Sequence, residues 1–264
     1  MPKSTLMGLR WVLAPAAAFV AAAACCPPAG AVVGGRSVTN IAADAPYQVG
    51  VVVNRSPWQS IWCGGVVRDA THIATAAHCV FDNALGSSGQ PIPTSAVQVV
   101  AGKANIKLSG GQRQGVQSIS LDSEYDPSTF SHDAAVLTLV GSLGLGSGQG
   151  VEAIQPADDD TWDTVALGSP LRVTGWGQTN GSDPGSYPGP LQLAGEAAHP
   201  LPYVSDAACG PSYAGFDAPE MLCAGSSTVD SCFGDSGGPL TVEDSNFPGV
   251  QRLVGLVSFG PSNG

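Results

Sequence analysis

Charge is scarce in this sequence, and positive charge is scarcest. Charged residues make up 12% of the chain, and 21 acidic residues outnumber 10 basic ones. From residue 32 onward the chain has 8 basic and 21 acidic residues, which gives a net charge of −13. This balance argues against nucleic acid or an anionic membrane surface as a partner. It mildly favours basic substrates, although solubility outside the cell accounts for it equally well.

A hydrophobic run long enough to span a bilayer is also missing from the N-terminal region. Residues 11–24 form an apolar run of 14 residues, which is too short to cross a membrane comfortably. Two basic residues precede it, two prolines break it, and a small-x-small cleavage site ends at Ala31. We therefore expect residues 1–31 to be a secretory signal peptide and the protein to be extracellular. A buried helix and lipoprotein processing at Cys25 are the alternatives.

Glycine and proline, by contrast, are abundant. The chain has 35 Gly and 21 Pro, which fits a turn-rich β protein better than a helical one. A length of 264 residues allows one large all-β domain or two small ones. Val49–Val53 is a β-branched run and residues 61–67 follow as the next predicted strand.

A serine lies in a glycine-rich turn within residues 230–240, Asp-Ser-Cys-Phe-Gly-Asp-Ser-Gly-Gly-Pro-Leu. The glycines around Ser236 permit backbone conformations that could aim two N–H groups at one point, as a developing oxyanion requires. Serine alone is a poor nucleophile and needs a base. Upstream, His78 lies beside a cysteine and Asp133 opens an apolar strand. A plain Gly/Ser surface loop is the alternative, but the order His, Asp, Ser matches one order of the catalytic triad.

From residue 32 to residue 264, the chain resembles trypsin-like serine proteases of the chymotrypsin family. The resemblance rests on motifs at residues 32–35, 63–65, 75–79, 133–137, 175–177, 230–240 and 258–260, in that order. It implies an all-β fold of two antiparallel, six-stranded Greek-key barrels with the active site between them. The first barrel would cover about residues 32–145 and the second about residues 146–264.

The same resemblance implies peptide-bond hydrolysis through an acyl-enzyme, with Ser236 as the nucleophile. His78 would be the general base and acid, and Asp133 would orient it. The backbone N–H groups of Gly234 and Ser236 would form the oxyanion hole.

The resemblance also implies specificity for Arg or Lys before the cut. Asp230 lies six residues before Ser236, where the family places the acid at the floor of the specificity pocket. A substrate cation would satisfy this carboxylate. The remaining substrate-binding residues would be Ser231, Ser258, Phe259 and Gly260. The expected partners are proteins or peptides with Arg or Lys before the cut, together with protein protease inhibitors. Nucleic acid and membranes are not expected as partners, and the protein is expected to be a monomer.

An N-terminal ion pair is a further implication. In the family, a new terminal amine, here on Val32, pairs with the acid before the serine, here Asp235. Many relatives create this terminus by cleavage after Arg or Lys, but this chain has neither between Arg10 and Arg36. Signal peptidase itself would then create the active terminus.

The cysteines match the family except at the end of the chain. The cysteine that would pair with Cys232 is expected at about Gly264, where the sequence stops. We therefore expect a C-terminally truncated protease that lacks its last strand and C-terminal helix, with Cys232 unpaired. An intact protein with a free thiol is the alternative. The other implied pairs are Cys63–Cys79 and Cys209–Cys223.

No metal or organic cofactor is expected. Lys103 stands where many animal trypsins begin a calcium loop with a glutamate, and an ammonium group cannot ligate calcium. Two other function classes remain open at this point, an inactive truncated fragment and a non-catalytic protease homologue that acts as a binding module.

Overall fold

The protein is mostly β, as its composition and its resemblance predict. The computed structural model describes residues 32–55, 58–81, 90–183, 185–213 and 215–260. The expected signal peptide, with Cys25, and the last four residues lie outside this described part.

Six strands form a closed antiparallel barrel in the first half of the chain. They are β2 (Gln48–Arg55), β3 (Trp58–Val67), β4 (His72–Thr75), β5 (Val97–Ala101), β6 (Gln112–Leu121) and β7 (Ala135–Leu139). Around the barrel they follow the order β2-β3-β4-β7-β6-β5. Successive side chains of a strand point to opposite faces, so Val49, Val51 and Val53 all face inward and are at most 3% exposed. The barrel interior is thus built from the β-branched run that the sequence analysis identified.

Seven strands of the described part of the chain form the second sheet. They are β1 (Arg36–Ser37), β8 (Pro170–Gly175), β9 (Gln192–Ala194), β10 (Leu201–Val204), β11 (Cys223–Ala224), β12 (Pro239–Glu243) and β13 (Gln251–Leu256). The sheet branches at β8, which pairs with β9, β10 and β12. Among the described residues this sheet stays open, because β13 pairs with β12 alone. The all-β class with two β bodies is confirmed, and the second body does not close in the described part.

The N-terminal strand crosses from one half of the chain to the other. β1 falls within residues 32–145, the range predicted for the first barrel, but it pairs with β9 in the second sheet. Arg36 reinforces this pairing through Nε, which lies 2.6 Å from Oε2 of Glu196, shortly after β9. Its Nη2 also lies 2.9 Å from Oδ1 of Asp44, in the segment that follows β1. The segment that follows Val32 is therefore attached to the second sheet by charge-assisted hydrogen bonds as well as by strand pairing.

The two β bodies share a buried contact. Val66 of β3 and Leu193 of β9 belong to one apolar cluster. Next to it, the hydroxyl of Thr174 donates to Oε1 of Gln48 at 2.7 Å, and both residues are buried. Because a buried polar group left without a partner is costly, this bond favours a single arrangement of β2 against β8.

The described helices are short. They are α1 (Ile41–Asp44), α2 (Ala77–Val80), α3 (Asp159–Trp162) and α4 (Asp206–Cys209). None of the helices in the described ranges is long and apolar enough to cross a membrane. α2 follows β4 after a single residue, so the barrel wall positions the helix that carries His78.

Candidate active site

The imidazole of His78 is held by a buried carboxylate. Nδ1 of His78 lies 2.7 Å from Oδ2 of Asp133, and the backbone N–H of His78 donates to Oδ1 of the same group at 2.8 Å. The Asp133 side chain is 3% exposed, whereas that of His78 is 21% exposed. The ring is thus fixed on its Nδ1 side and keeps partial access to the cleft.

Asp133 remains an acceptor despite its burial. Burial raises the pKa of this carboxyl, but hydrogen bonds from His78 and from the hydroxyl of Ser258 outweigh it and hold the pKa below its usual value. Ser258 lies shortly after β13 in the second sheet. A predicted substrate-binding residue therefore also contacts the acid that orients the histidine.

The turn that carries Ser236 lies against the first barrel. The carbonyl of Ser236 accepts from the N–H of Gly64 at 2.7 Å. Gly237 has φ +75°, and a Cβ there would lie 2.6 Å from the Gly64 carbonyl oxygen and would also clash with Thr75. Thr75 and His78 belong to the same short segment, so the turn lies beside the histidine. Within the described residues, no hydrogen bond joins the Ser236 hydroxyl to the imidazole.

The two backbone N–H groups on either side of Asp235 in this turn are free in the described part of the chain. The N–H groups of Asp235, Gly237 and Gly238 donate to the carbonyls of Cys232, Val257 and Asp235. Those of Gly234 and Ser236 have no acceptor among the described residues. Gly234 has φ +95°, a conformation that favours glycine. A turn with two unused donors on alternate residues can receive an anionic oxygen.

Asp235 is fully buried within the same turn. Its carboxylate accepts from the N–H of Gly177 at 2.8 Å and from that of Cys232 at 2.9 Å. The backbone N–H of Val32 is a third donor, but burial outweighs all three and raises the pKa of Asp235 to about 7. Val32 itself is 0% exposed. The structure therefore brings the two residues of the predicted N-terminal pair together.

The predicted specificity residues line one cavity of about 1050 Å³, together with Asp133. Burial raises the pKa of Asp230, and none of the ion pairs in the described part of the chain involves this carboxylate. Gly225 lies alongside, where a Cβ would be 3.4 Å from Oδ2 of Asp230. The predicted lining residues are Asp230, Ser231, Ser258, Phe259 and Gly260.

Sequence reasoning missed an aromatic side chain beside the histidine. The ring of Phe130 meets that of His78 edge to face, with centroids 5.6 Å apart, and Phe259 lies 5.6 Å from Phe130. The sequence feature that could have indicated this contact is an aromatic residue in a polar loop, three positions before Asp133. Phe130 contacts the imidazole ring and contributes an apolar wall to the cavity.

The two predicted disulfides are confirmed, and Cys232 has a free thiol. The Cys63–Cys79 bridge ties α2 to β3, next to His78. Its two sulfurs are bonded to each other, so they are not available as thiolate ligands beside the imidazole. The other bridge joins Cys209 to Cys223.

Lys103 is buried at 6% exposure. Its ammonium donates to the carbonyl oxygens of Ile106 and Leu108. A side-chain cation thus occupies the inside of the loop where the family resemblance would have placed calcium.

Comparisons with known proteins agree with this geometry. The family model described as Trypsin matches residues 32–264. Trypsin-1 of Astacus astacus is 33% identical over 237 residues, covering 87% of this chain and 89% of the relative. Trypsin beta of Drosophila erecta is 34% identical over 234 residues, which cover 88% of this chain and 79% of the relative. Trypsin alpha of Drosophila melanogaster is 35% identical over 234 residues, covering 88% and 78%.

Proposed function

We propose, on the premise that this chain belongs to the trypsin family of serine endopeptidases, that it is a secreted enzyme that cleaves after Arg or Lys. The observation that carries the specificity is Asp230, a partly buried carboxylate in a cavity that Asp133 also lines. Charge is costly to bury without a counter-charge. The guanidinium or ammonium group of a substrate supplies that charge, and Arg can donate two parallel hydrogen bonds.

The reaction proceeds through an acyl-enzyme. Ser236 Oγ attacks the carbonyl carbon while His78 takes the hydroxyl proton, and the carbonyl oxygen becomes an oxyanion. His78 then donates the proton to the leaving amine, and water hydrolyses the ester by the same steps. Asp133 supports this role because it accepts from Nδ1 of His78 at 2.7 Å and stabilises the imidazolium.

The oxyanion binds to the N–H groups of Gly234 and Ser236. Support comes from the absence of any other acceptor for these two donors among the described residues. Donors that are already oriented need no reorganisation when the charge develops.

The mature protein begins at Val32 after removal of residues 1–31. Cleavage there turns the backbone N–H of Val32 into an ammonium group beside Asp235. A buried carboxylate with raised pKa gains most from such a cation. Lipoprotein processing at Cys25 would instead leave the Val32 amide intact.

Proteins and peptides are the substrates, and protein protease inhibitors are further partners. We propose a monomer that binds neither nucleic acid nor membranes, in keeping with the net charge of −13 from residue 32 onward.

The specificity proposal predicts a selective loss in an Asp230→Ser variant. The substrates are chromogenic peptides that differ only in the residue before the cut, namely Arg, Lys, Phe or Leu. We expect kcat/KM of the wild type to favour Arg and Lys. In the variant, kcat/KM for these two substrates should fall by about 100-fold or more, because a buried charge pair is lost.

An Asp69→Ser variant is the control, because Asp69 is an exposed acid in the turn between β3 and β4 and does not line the cavity. It should keep the wild-type preference. A wild-type preference for Phe or Leu, or an Asp230→Ser variant that still prefers Arg, would contradict the proposal.

A further inference from the structure

A second cluster of metal-ligating side chains lies on the loop before Asp133. Asp122, Glu124 and His132 each place one donor atom so that all three donors lie within 4.8 Å of one another. Donors around a tetrahedral zinc ion lie about 3.4 Å apart. The Glu124 side chain is 74% exposed and is free to close the remaining gap.

The loop backbone sets the positions of these donors. The N–H of Asp122 donates to the carbonyl of Ala134 at 2.9 Å, which joins the two ends of the loop. Oδ1 of Asp122 accepts from the N–H of Glu124 at 2.9 Å, so Oδ2 is left for another partner. His132 has φ +53°, and its ring is held close to the two acids.

The second ring nitrogen of His132 faces another carboxylate. Nε2 lies 3.8 Å from Oε2 of Glu124, and Nδ1 lies 3.7 Å from Oε2 of Glu220. A metal-ligating histidine commonly donates its other N–H to a carboxylate, which orients the ring and increases its basicity. Glu220 lies on the loop before β11, so this contact links the Asp133-bearing loop to the second half of the chain.

Negative charge in this cluster is not balanced by basic side chains. Three carboxylates surround one imidazole, and in the described ranges none of the three pairs with Lys or Arg. Like charges at this separation repel unless a cation intervenes.

We propose that Asp122, Glu124 and His132 bind a divalent transition-metal ion of the zinc type, with Glu220 orienting His132. One imidazole with two carboxylates suits Zn²⁺, whereas Ca²⁺ takes oxygen ligands only. The site departs from the sequence-based prediction that no metal is bound. Asp122, His132 and Glu220 also line the cavity that contains Asp230, and a bound ion would stiffen the peptide next to Asp133.

Calorimetric titration of Zn²⁺ into the full chain tests the site, with Ser236→Ala included to prevent self-cleavage. We expect the affinity to fall by about 10-fold or more in His132→Gln and in Glu124→Gln, and by about 10-fold in Glu220→Gln. Ca²⁺ should neither bind there nor compete.

The matched control is His72→Gln. His72 is also a surface histidine next to a carboxylate, with Nδ1 2.9 Å from Oδ2 of Asp69, but it has no second acid among its ion pairs in the described ranges. This variant should bind Zn²⁺ like the parent. Equal affinity in the parent and in both His132→Gln and Glu124→Gln would overturn the proposal, and so would an equal loss in His72→Gln.

Discussion

At the scale of single residues, Asp235 is a carboxylate without solvent contact. It is 0% exposed, and in the chain as described its third donor is the neutral backbone N–H of Val32. Three N–H donors do not replace the water that burial removes, and the pKa therefore rises to about 7. In an unfolded chain an aspartate has a pKa of about 4.

The unprocessed chain should consequently lose stability as the pH rises. The folded state holds this proton more tightly than the unfolded state. The resulting stabilisation is therefore fully present below about pH 4, decreases as the pH rises and is gone above about pH 7. The loss is on the order of 4 kcal/mol. Urea unfolding of the full-length Ser236→Ala chain at about pH 4.5 and about pH 7.5 measures it.

An Asp235→Asn substitution in the same chain isolates this group from the other acids. That variant should lack the part of the pH dependence that Asp235 causes. A chain that begins at Val32 should lack it too, because its ammonium group is proposed to pair with the carboxylate. Identical pH dependence in the parent chain and in the Asp235→Asn variant would show that this carboxyl is not the cause.

Sequence motifs identify some residues of the candidate site but not all of them. His78, Asp133, Asp230 and Ser236 are recognisable because their chemistry demands particular residue types in a particular order. Phe130 is not, since any bulky apolar side chain can cover an imidazole edge and only the folded loop shows which one does.

At the scale of elements, the Ser236 turn depends on its fit against β3 and β4. The N–H of Gly64 in β3 donates to the Ser236 carbonyl at 2.7 Å, and Gly237 lies close to both Gly64 and Thr75. A side chain at position 237 has no space and also an unfavourable φ. The Cys63–Cys79 disulfide ties the same part of β3 to α2, so the segments that carry Ser236 and His78 are both held by β3.

Gly237→Ala should therefore damage both stability and activity. We expect the free energy of unfolding to fall by about 2–4 kcal/mol, because a side chain is unfavourable at this positive φ and also overpacks the contact. We also expect a large fall in kcat. Gly249→Ala is the matched control, because Gly249 has φ +85° but no atom within 4 Å of an added Cβ. Its loss should be about 1 kcal/mol with kcat unchanged. Equal unfolding free energies for the two variants would contradict the proposed fit.

Strands could be predicted from the sequence where apolar residues alternate with polar ones or form a continuous run. β2 is recognisable from its valines, but β6 is not, because Val116 is its one buried residue among ten. The position of β6 is determined by pairing with β5 and β7. These neighbouring strands are identified only in the folded barrel and not from the sequence of β6 itself.

At the scale of the whole molecule, the proposed function depends on contact between the two β bodies. The first supplies His78 and Asp133, and the second supplies Asp230, Ser236 and Ser258. The family resemblance predicts this division. The sequence does not show that β8 has three partners, since its pairing with β12 joins segments about 70 residues apart along the chain and depends on the assembled core.

Ser236 is proposed to be a nucleophile that His78 activates. Labelling with diisopropyl fluorophosphate, followed by mass spectrometry of the peptide that contains residues 230–240, tests it most directly. For folded protein that begins at Val32, we expect one phosphoryl adduct per chain, on Ser236, and none in a His78→Ala variant. An unlabelled Ser236 in the folded protein, or equal labelling of the His78→Ala variant, would show that His78 does not activate Ser236.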